Sequence, residues 1–438
     1  MPSEPTLQRT LSLWQVSVTG IGVILGAGVY ALIGPAAARA GHGLWLSFLL
    51  AGAAAALTAY SYARLGAMRP KTSPEFQYTS LAFGPDVGFV AGWLMLGGDI
   101  AAAASVALGF GGYLGHLAGT PIVIGAAALV LFAAAAMYAG IGHSVGIAAI
   151  LTAIEAVGLL IIIAIGIPFW PTLDFRLTAA TGPGVFSAAA LIFFAYLGFD
   201  ELGNLAEEMK APERNLPRAL YISLGVTTVI YVAVALSATA VAPPAELGAS
   251  SAPLALVAGR TLGRGADVLI TCMALAATAN TVLLLLVSGA RSVYGMASAG
   301  VLPRGLGRLT KTQVPREAMI AVLVITLSLV ALGDVARAAH LTDAMVLISF
   351  ICVNLGLTWL AVRNRNARGT AMRISDVGVS AAGALMCGWL LGHGGVVWII
   401  AALGVGLLGA AAAIGRRARA RFLVTASPGS IGKGGTTT

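Results

Sequence analysis

Three carboxylates stand in hydrophobic sequence with no opposite charge within a helical turn. Asp99 lies in LGGDIAAAAS, Glu155 in ILTAIEAVGLLIII and Asp200 in FFAYLGFDELGN. An ionised group near the centre of a bilayer costs at least about 2.5 kcal/mol, so groups placed there carry a proton, hold a cation or face a water-filled cavity. Glycines accompany them: Gly20, Gly22, Gly26, Gly28 and Gly34 in TGIGVILGAGVYALIGP, and Gly198 and Gly203 around Asp200. Glycine weakens a helix and tolerates unwound backbone. Inside a membrane such backbone survives only where protein or water satisfies its N–H and C=O groups. A broken helix offers N–H groups and a positive dipole end to a carboxylate, and freed carbonyls to an ammonium group. A zwitterionic amino acid fits both surfaces.

The elements that must position these groups are membrane spans. The 438 residues are 58% apolar and 10% charged, with mean hydropathy +0.91. A soluble domain carries roughly 45–50% apolar and 25% charged residues. Reading for stretches of ~20 apolar residues gives an all-α integral membrane protein with twelve candidate spans: 13–36, 43–67, 86–116, 120–139, 145–168, 184–206, 218–242, 266–298, 317–333, 341–362, 376–392 and 394–414. No cleavable signal peptide is expected, and the Gly/Ser/Thr-rich tail reads as disordered. With the N-terminus inside, nearly all Lys and Arg of the loops fall on the cytoplasmic side. Only Arg39, Arg176, Arg260, Arg264 and Arg337 fall on the other. This asymmetry places both termini in the cytoplasm. It also explains the net charge of +9 without nucleic acid.

The Gly26–Gly28 cluster in the first span and Gly198 in the sixth sit five spans apart. Interrupted spans at corresponding positions of two halves point to a binding site near the bilayer midplane. The charged run Glu207, Glu208, Lys210, Glu213, Arg214 and Arg218 follows the second break and reads as the cytoplasmic mouth, with Arg291 and Arg304 nearby.

Four segments carry a resemblance: GVILGAGVYALIG, RPKTSPEFQYTSLAFG (69–84), FFAYLGFDELGNLAEEMKAPERNLPRAL and ARSVYGMASAGVLP (290–303). In order and spacing the chain resembles the amino acid–polyamine–organocation (APC) transporters. The resemblance implies the leucine-transporter fold, a five-plus-five inverted repeat with two extra helices, working by alternating access. The corresponding divisions are an N-terminus 1–12, repeats 13–168 and 169–362, two further helices 363–414 and a tail 415–438. It also implies that Ile24, Gly26, Ala27 and Gly28 hold a substrate carboxylate. Backbone around Phe194, Ala195 and Leu197 then holds the amine, next to the Gly198 break, with Phe194 at the aromatic gate. Many proton-coupled relatives have a lysine in segment 5, in the pattern T-x-x-K. Here Thr152 is present and the lysine position is Glu155, so coupling is expected to run on a carboxyl, with a proton or another cation as the coupling ion.

Asp200 stands where the family has Asp or Glu and is expected at the gate. Asp99 has two readings, contact with a cationic group of the substrate or a tie to a neighbouring helix. Asn280, mid-way along segment 8, either lines the pathway or bonds a neighbouring helix; Asn354 reads as an interhelical hydrogen bond. The five histidines fall near span ends without ligand spacing, and Cys272, Cys352 and Cys387 match no metal pattern, so neither metal nor cofactor is expected. No H-E-x-x-H or phosphate-binding G-x-x-x-x-G-K-[ST] motif appears, which argues against an enzyme or an ATP-driven pump. The leading expectation is a proton-coupled amino acid permease of the inner cell membrane; an amine or polyamine transporter and an exchanger are the alternatives.

Overall fold

The computed structural model describes residues 9–69, 73–138, 145–173, 182–298, 302–310, 315–363 and 370–425. Among these the chain is helical, apart from connecting turns and one isolated parallel bridge between Leu11 and Met209. The first helices are α1 (Leu13–Leu25), α2 (Gly28–Ala40), α3 (Leu44–Met68), the short α4 (Pro74–Phe83), α5 (Pro85–Ala118), α6 (Ile122–Tyr138) and α7 (Val145–Gly166). Then come α8 (Pro183–Ile192), a one-turn α9 (Glu201–Asn204), α10 (Pro212–Val241), and the short α11 (Pro244–Ala249) and α12 (Pro253–Leu262). The last are α13 (Arg264–Ser298), α14 (Arg316–Val330), α15 (Val335–Arg363), α16 (Thr370–Gly394) and α17 (Val396–Thr425).

Local chemistry accounts for many boundaries. Ser12 and Gln15 form a capping box at the start of α1, which satisfies two otherwise orphaned N–H groups. Proline opens α4, α5, α10, α11 and α12, where its missing N–H is not needed. Helix α5 ends at Gly119 in the left-handed conformation.

Nine helical stretches among the described residues are long and apolar enough to cross a membrane. One, Gly28–Met68, joins α2 and α3 through a 3-10 turn at Gly41–Gly43. The expected count of twelve is therefore not reproduced by length and composition alone. The physical reason is specific: α1 stops after 13 residues because the helix breaks at Gly26, α6 has 17 residues and α14 has 15. Two other boundaries move. Helix α10 begins at Pro212, so Glu213, Arg214 and Arg218 are on its first turns instead of in a loop. The last helix continues through Thr425, into the part of the tail expected to lack structure.

Buried polar ties join the helices. Asn354 on α15 accepts from Ser61 Oγ (2.6 Å) and donates to Thr58 Oγ1 (3.1 Å), both on α3. Asp376 on α16 is fully buried and pairs with Arg64 of α3 at 2.7 and 3.1 Å, with Tyr60 Oη donating to it at 2.9 Å. At the same end of the bundle, Leu11 N–H donates to Glu208 O (3.0 Å) and Lys210 N–H to Leu11 O (2.9 Å), which ties the segment before α1 to the charged run.

Candidate functional site

The first helix breaks at Gly26 and Ala27 and resumes at Gly28. The second broken element runs as α8, a 3-10 turn over Phe193–Tyr196, a non-helical stretch, and α9 from Glu201. Gly198 has φ +110, and a Cβ there would lie 2.8 Å from Val23 Cγ1 and 3.2 Å from Val23 O. Only glycine adopts this conformation without strain, and its lack of a side chain lets the second break press on α1. The reverse contact is equally tight. A Cβ on Gly28 would lie 3.0 Å from Ala195 Cα and 3.2 Å from Phe194 Cδ1. The two irregular segments are therefore packed face to face.

Tyr231 of α10 fastens them together. Its hydroxyl is 2.5 Å from Ile24 O and 3.0 Å from Ala195 O, so one fully buried donor proton serves a freed carbonyl from each break. Sequence reasoning missed Tyr231, because nothing in VIYVAVAL distinguishes it from a packing residue. Thr281 of α13 closes a third side, its Oγ1 accepting from Ala27 N–H at 3.4 Å. Asn280, the residue singled out from sequence, is its buried neighbour, 6% exposed. Phe194 is buried against Gly28, and Leu197 N–H donates to Phe194 O at 3.2 Å.

Glu155 is 1% exposed and its Oε1 has no hydrogen-bond partner among the described residues. Its backbone carbonyl accepts from Tyr30 Oη at 2.8 Å, and its carboxyl lies within electrostatic reach of Tyr30 and Tyr231. One turn earlier, Thr152 packs against Gly22 of α1. The carboxyl thus lies within electrostatic reach of the same tyrosine that bridges the breaks.

The other acids gather on the α9 side. Asp200 is 6% exposed and its Oδ1 accepts from Gly198 N–H at 3.0 Å, holding the positive-φ turn in place. Adjacent Glu201 accepts instead from Asn204 Nδ2 at 2.7 Å. Asp99 of α5 is half-buried and within electrostatic reach of Glu201, Asp200 and Glu75. Glu75, on α4, is the second residue missed from sequence. It is buried and accepts from Tyr62 Oη at 2.5 Å. Loss of water, with Asp200 nearby, pushes its carboxyl up to about 8. Tyr62 makes edge contacts with Tyr78, Phe199 and Phe350, each at 5.6 Å between ring centres. An aromatic cluster therefore closes the site on this side. Among the described residues no group of three or more His, Cys, Asp or Glu side chains is placed to hold a metal.

Residues 11–417 match the model of the amino acid permease family. An uncharacterized transporter of Mycobacterium tuberculosis is 31% identical over 434 residues, covering 96% of this chain and 94% of that protein. The branched-chain amino acid permease BcaP of Bacillus subtilis is 30% identical over 386 residues, covering 80% and 82%. The methylthioribose transporter of the same organism is 27% identical over 425 residues, covering 90% of each. Broken helices packed face to face, apolar helices long enough to cross a bilayer and a family match along nearly the whole chain agree: this multi-pass membrane protein belongs to the amino acid permease family of transporters.

Proposed function

We propose that the chain moves an amino acid across the cell membrane by alternating access, coupled to a proton carried by Glu155. The observation that carries this reading is the pair of breaks joined by Tyr231. In it Ile24, Gly26, Ala27 and Gly28 receive the carboxylate, and backbone around Phe194, Ala195 and Leu197 receives the amine. Asp200 and Asn280 border the site, and Phe194 is the aromatic gate. Twelve spans in a five-plus-five inverted repeat with two added helices, divided at 13–168, 169–362 and 363–414, supply the frame. Both termini face the cytoplasm. A carboxyl in apolar surroundings takes up a proton more readily than one in water. Glu155, unpartnered at Oε1 and within electrostatic reach of Tyr231, supports this role. The test is uptake into proteoliposomes under an imposed pH gradient. Glu155→Gln is expected to abolish accumulation above equilibrium while counterflow exchange continues; accumulation equal to that of the unaltered protein would remove Glu155 from coupling.

A second reading, an amine or polyamine substrate, is favoured by Asp99, whose half-buried carboxyl stands among Asp200, Glu201 and Glu75. Under it Asp99→Asn would abolish uptake of the amine, and an amino acid would not compete.

A further inference from the structure

A water-sized cavity lies between α8, α15, α16 and α17. Its walls include Ala190, His340, Asp343, Gly394, Gly395 and Trp398. Gly394 and Gly395 form the turn between α16 and α17, and Gly392 and His393 beside them are exposed. The cavity therefore sits one layer beneath that end of the bundle.

Hydrogen-bond chemistry fixes the state of the histidine. Arg39 of α2 places Nη1 2.6 Å from His340 Nε2. A guanidinium only donates, so Nε2 accepts and the neutral ring carries its proton on Nδ1. That Nδ1 is buried with no partner among the described residues. Asp343 follows at i+3, on the same face of α15. It is 3% exposed, and neither carboxylate oxygen has a partner. An orphan donor and two orphan acceptors thus line one small cavity, and leaving them unpaired away from water is unfavourable. Trp398 stacks on the imidazole, with ring centres 6.5 Å apart, and holds its plane.

We propose that this cavity is a proton site distinct from the solute site: one water accepts from His340 Nδ1–H and donates to Asp343, and through that water Asp343 exchanges a proton with the aqueous phase. On loading, a proton from solution adds to an Asp343 oxygen and turns the carboxylate into a carboxylic acid. The water then rotates to accept from the new O–H, and unloading reverses both changes. Arg39 stays charged throughout and serves to keep Nδ1 the donor.

The surrounding charges are few. Arg39 faces the site from α2, and Asp334, just before α15, is within electrostatic reach of both Arg39 and His340. Arg337 is exposed and pairs with Asp334 at 3.6 Å. His393 of α16 is turned away, its Nδ1 bonded to Trp389 O at 2.9 Å and its ring packed on Phe186. Helices α8 and α17 contribute only uncharged Ala190 and Trp398 to the walls. On α5 the acid Asp99 belongs to the group around Asp200 and Glu201. No acid used in the proposed transport cycle takes part.

The test needs no solute and so stands apart from the transport reading. Infrared difference spectra of the full-length protein in nanodiscs, taken between steps of pH, are expected to contain a protonated-carboxyl stretching band that vanishes in Asp343→Asn. That band should persist in Glu155→Gln and Asp200→Asn, and move in frequency in Asp343→Glu. The Glu variant keeps the test open should the Asn variant not fold. His340→Phe preserves the stack on Trp398 but removes Nδ1–H. It is expected to change the proton affinity of the Asp343 band by about tenfold, a shift of about one pH unit. Spectra of Asp343→Asn or Asp343→Glu identical to the unaltered protein at every pH would overturn the site. An unmoved midpoint in His340→Phe would overturn the role of the water and histidine.

Discussion

Tyr231 joins two backbone segments that are 171 residues apart, Ile24 and Ala195, through a single hydroxyl. Replacing it by Phe keeps the ring and its edge contact with Tyr196 at 5.4 Å but leaves both buried carbonyls short of a donor. Each buried acceptor so stranded costs about 1–3 kcal/mol. Tyr231→Phe is therefore expected to lower the unfolding midpoint and to weaken solute binding at least about tenfold, both measurable on purified protein by thermal unfolding with and without ligand. Gly198→Ala confronts a φ of +110 and a 2.8 Å approach to Val23. A non-glycine residue held in such a conformation costs about 1–3 kcal/mol. Uptake that survives this change unaltered would show that the second break does not need its turn. The glycines and acids of both breaks are legible in the sequence because they violate the apolar pattern around them. Tyr231 is not, since an isolated Tyr in a span reads the same whether it packs or bonds.

Helix α4 shows what an element adds. The segment reads as a loop opening the third span, yet it folds into a helix of ten residues that carries Glu75 under Asp200 and against Tyr62. Burial raises the native carboxyl above its ordinary 4.5 to about 8, so the folded state holds a proton that the unfolded chain has released. The contribution to stability is then fully present below about 4.5 and is lost as pH rises towards about 8. Glu75→Gln is neutral at every pH and should flatten the fall in melting temperature across that window; an unchanged slope would place the titration elsewhere. Helix boundaries set by proline and glycine were close to those expected, as for α3, α5 and α13. Helix α10 begins earlier than expected, at Pro212, and packs along α3; α1 ends at Gly26, where the glycine cluster marks the break.

At the scale of the whole molecule, composition alone separates this chain from soluble proteins, and the family match spans residues 11–417. The breaks in spans one and six are far apart in sequence, and only the packed bundle brings them together. The proposed site reads both ends of a zwitterion. Equilibrium binding tests it most directly, using the tightest-binding member of an L-amino acid panel together with its decarboxylated amine and its deaminated acid. Hydrogen bonds to charged groups contribute about 1.5–3 kcal/mol, so each analogue should bind about 10–100-fold more weakly than the parent amino acid. An amine that binds as tightly as the parent would contradict the carboxylate role of the first break, and an equally tight deaminated acid would contradict the amine role of the second.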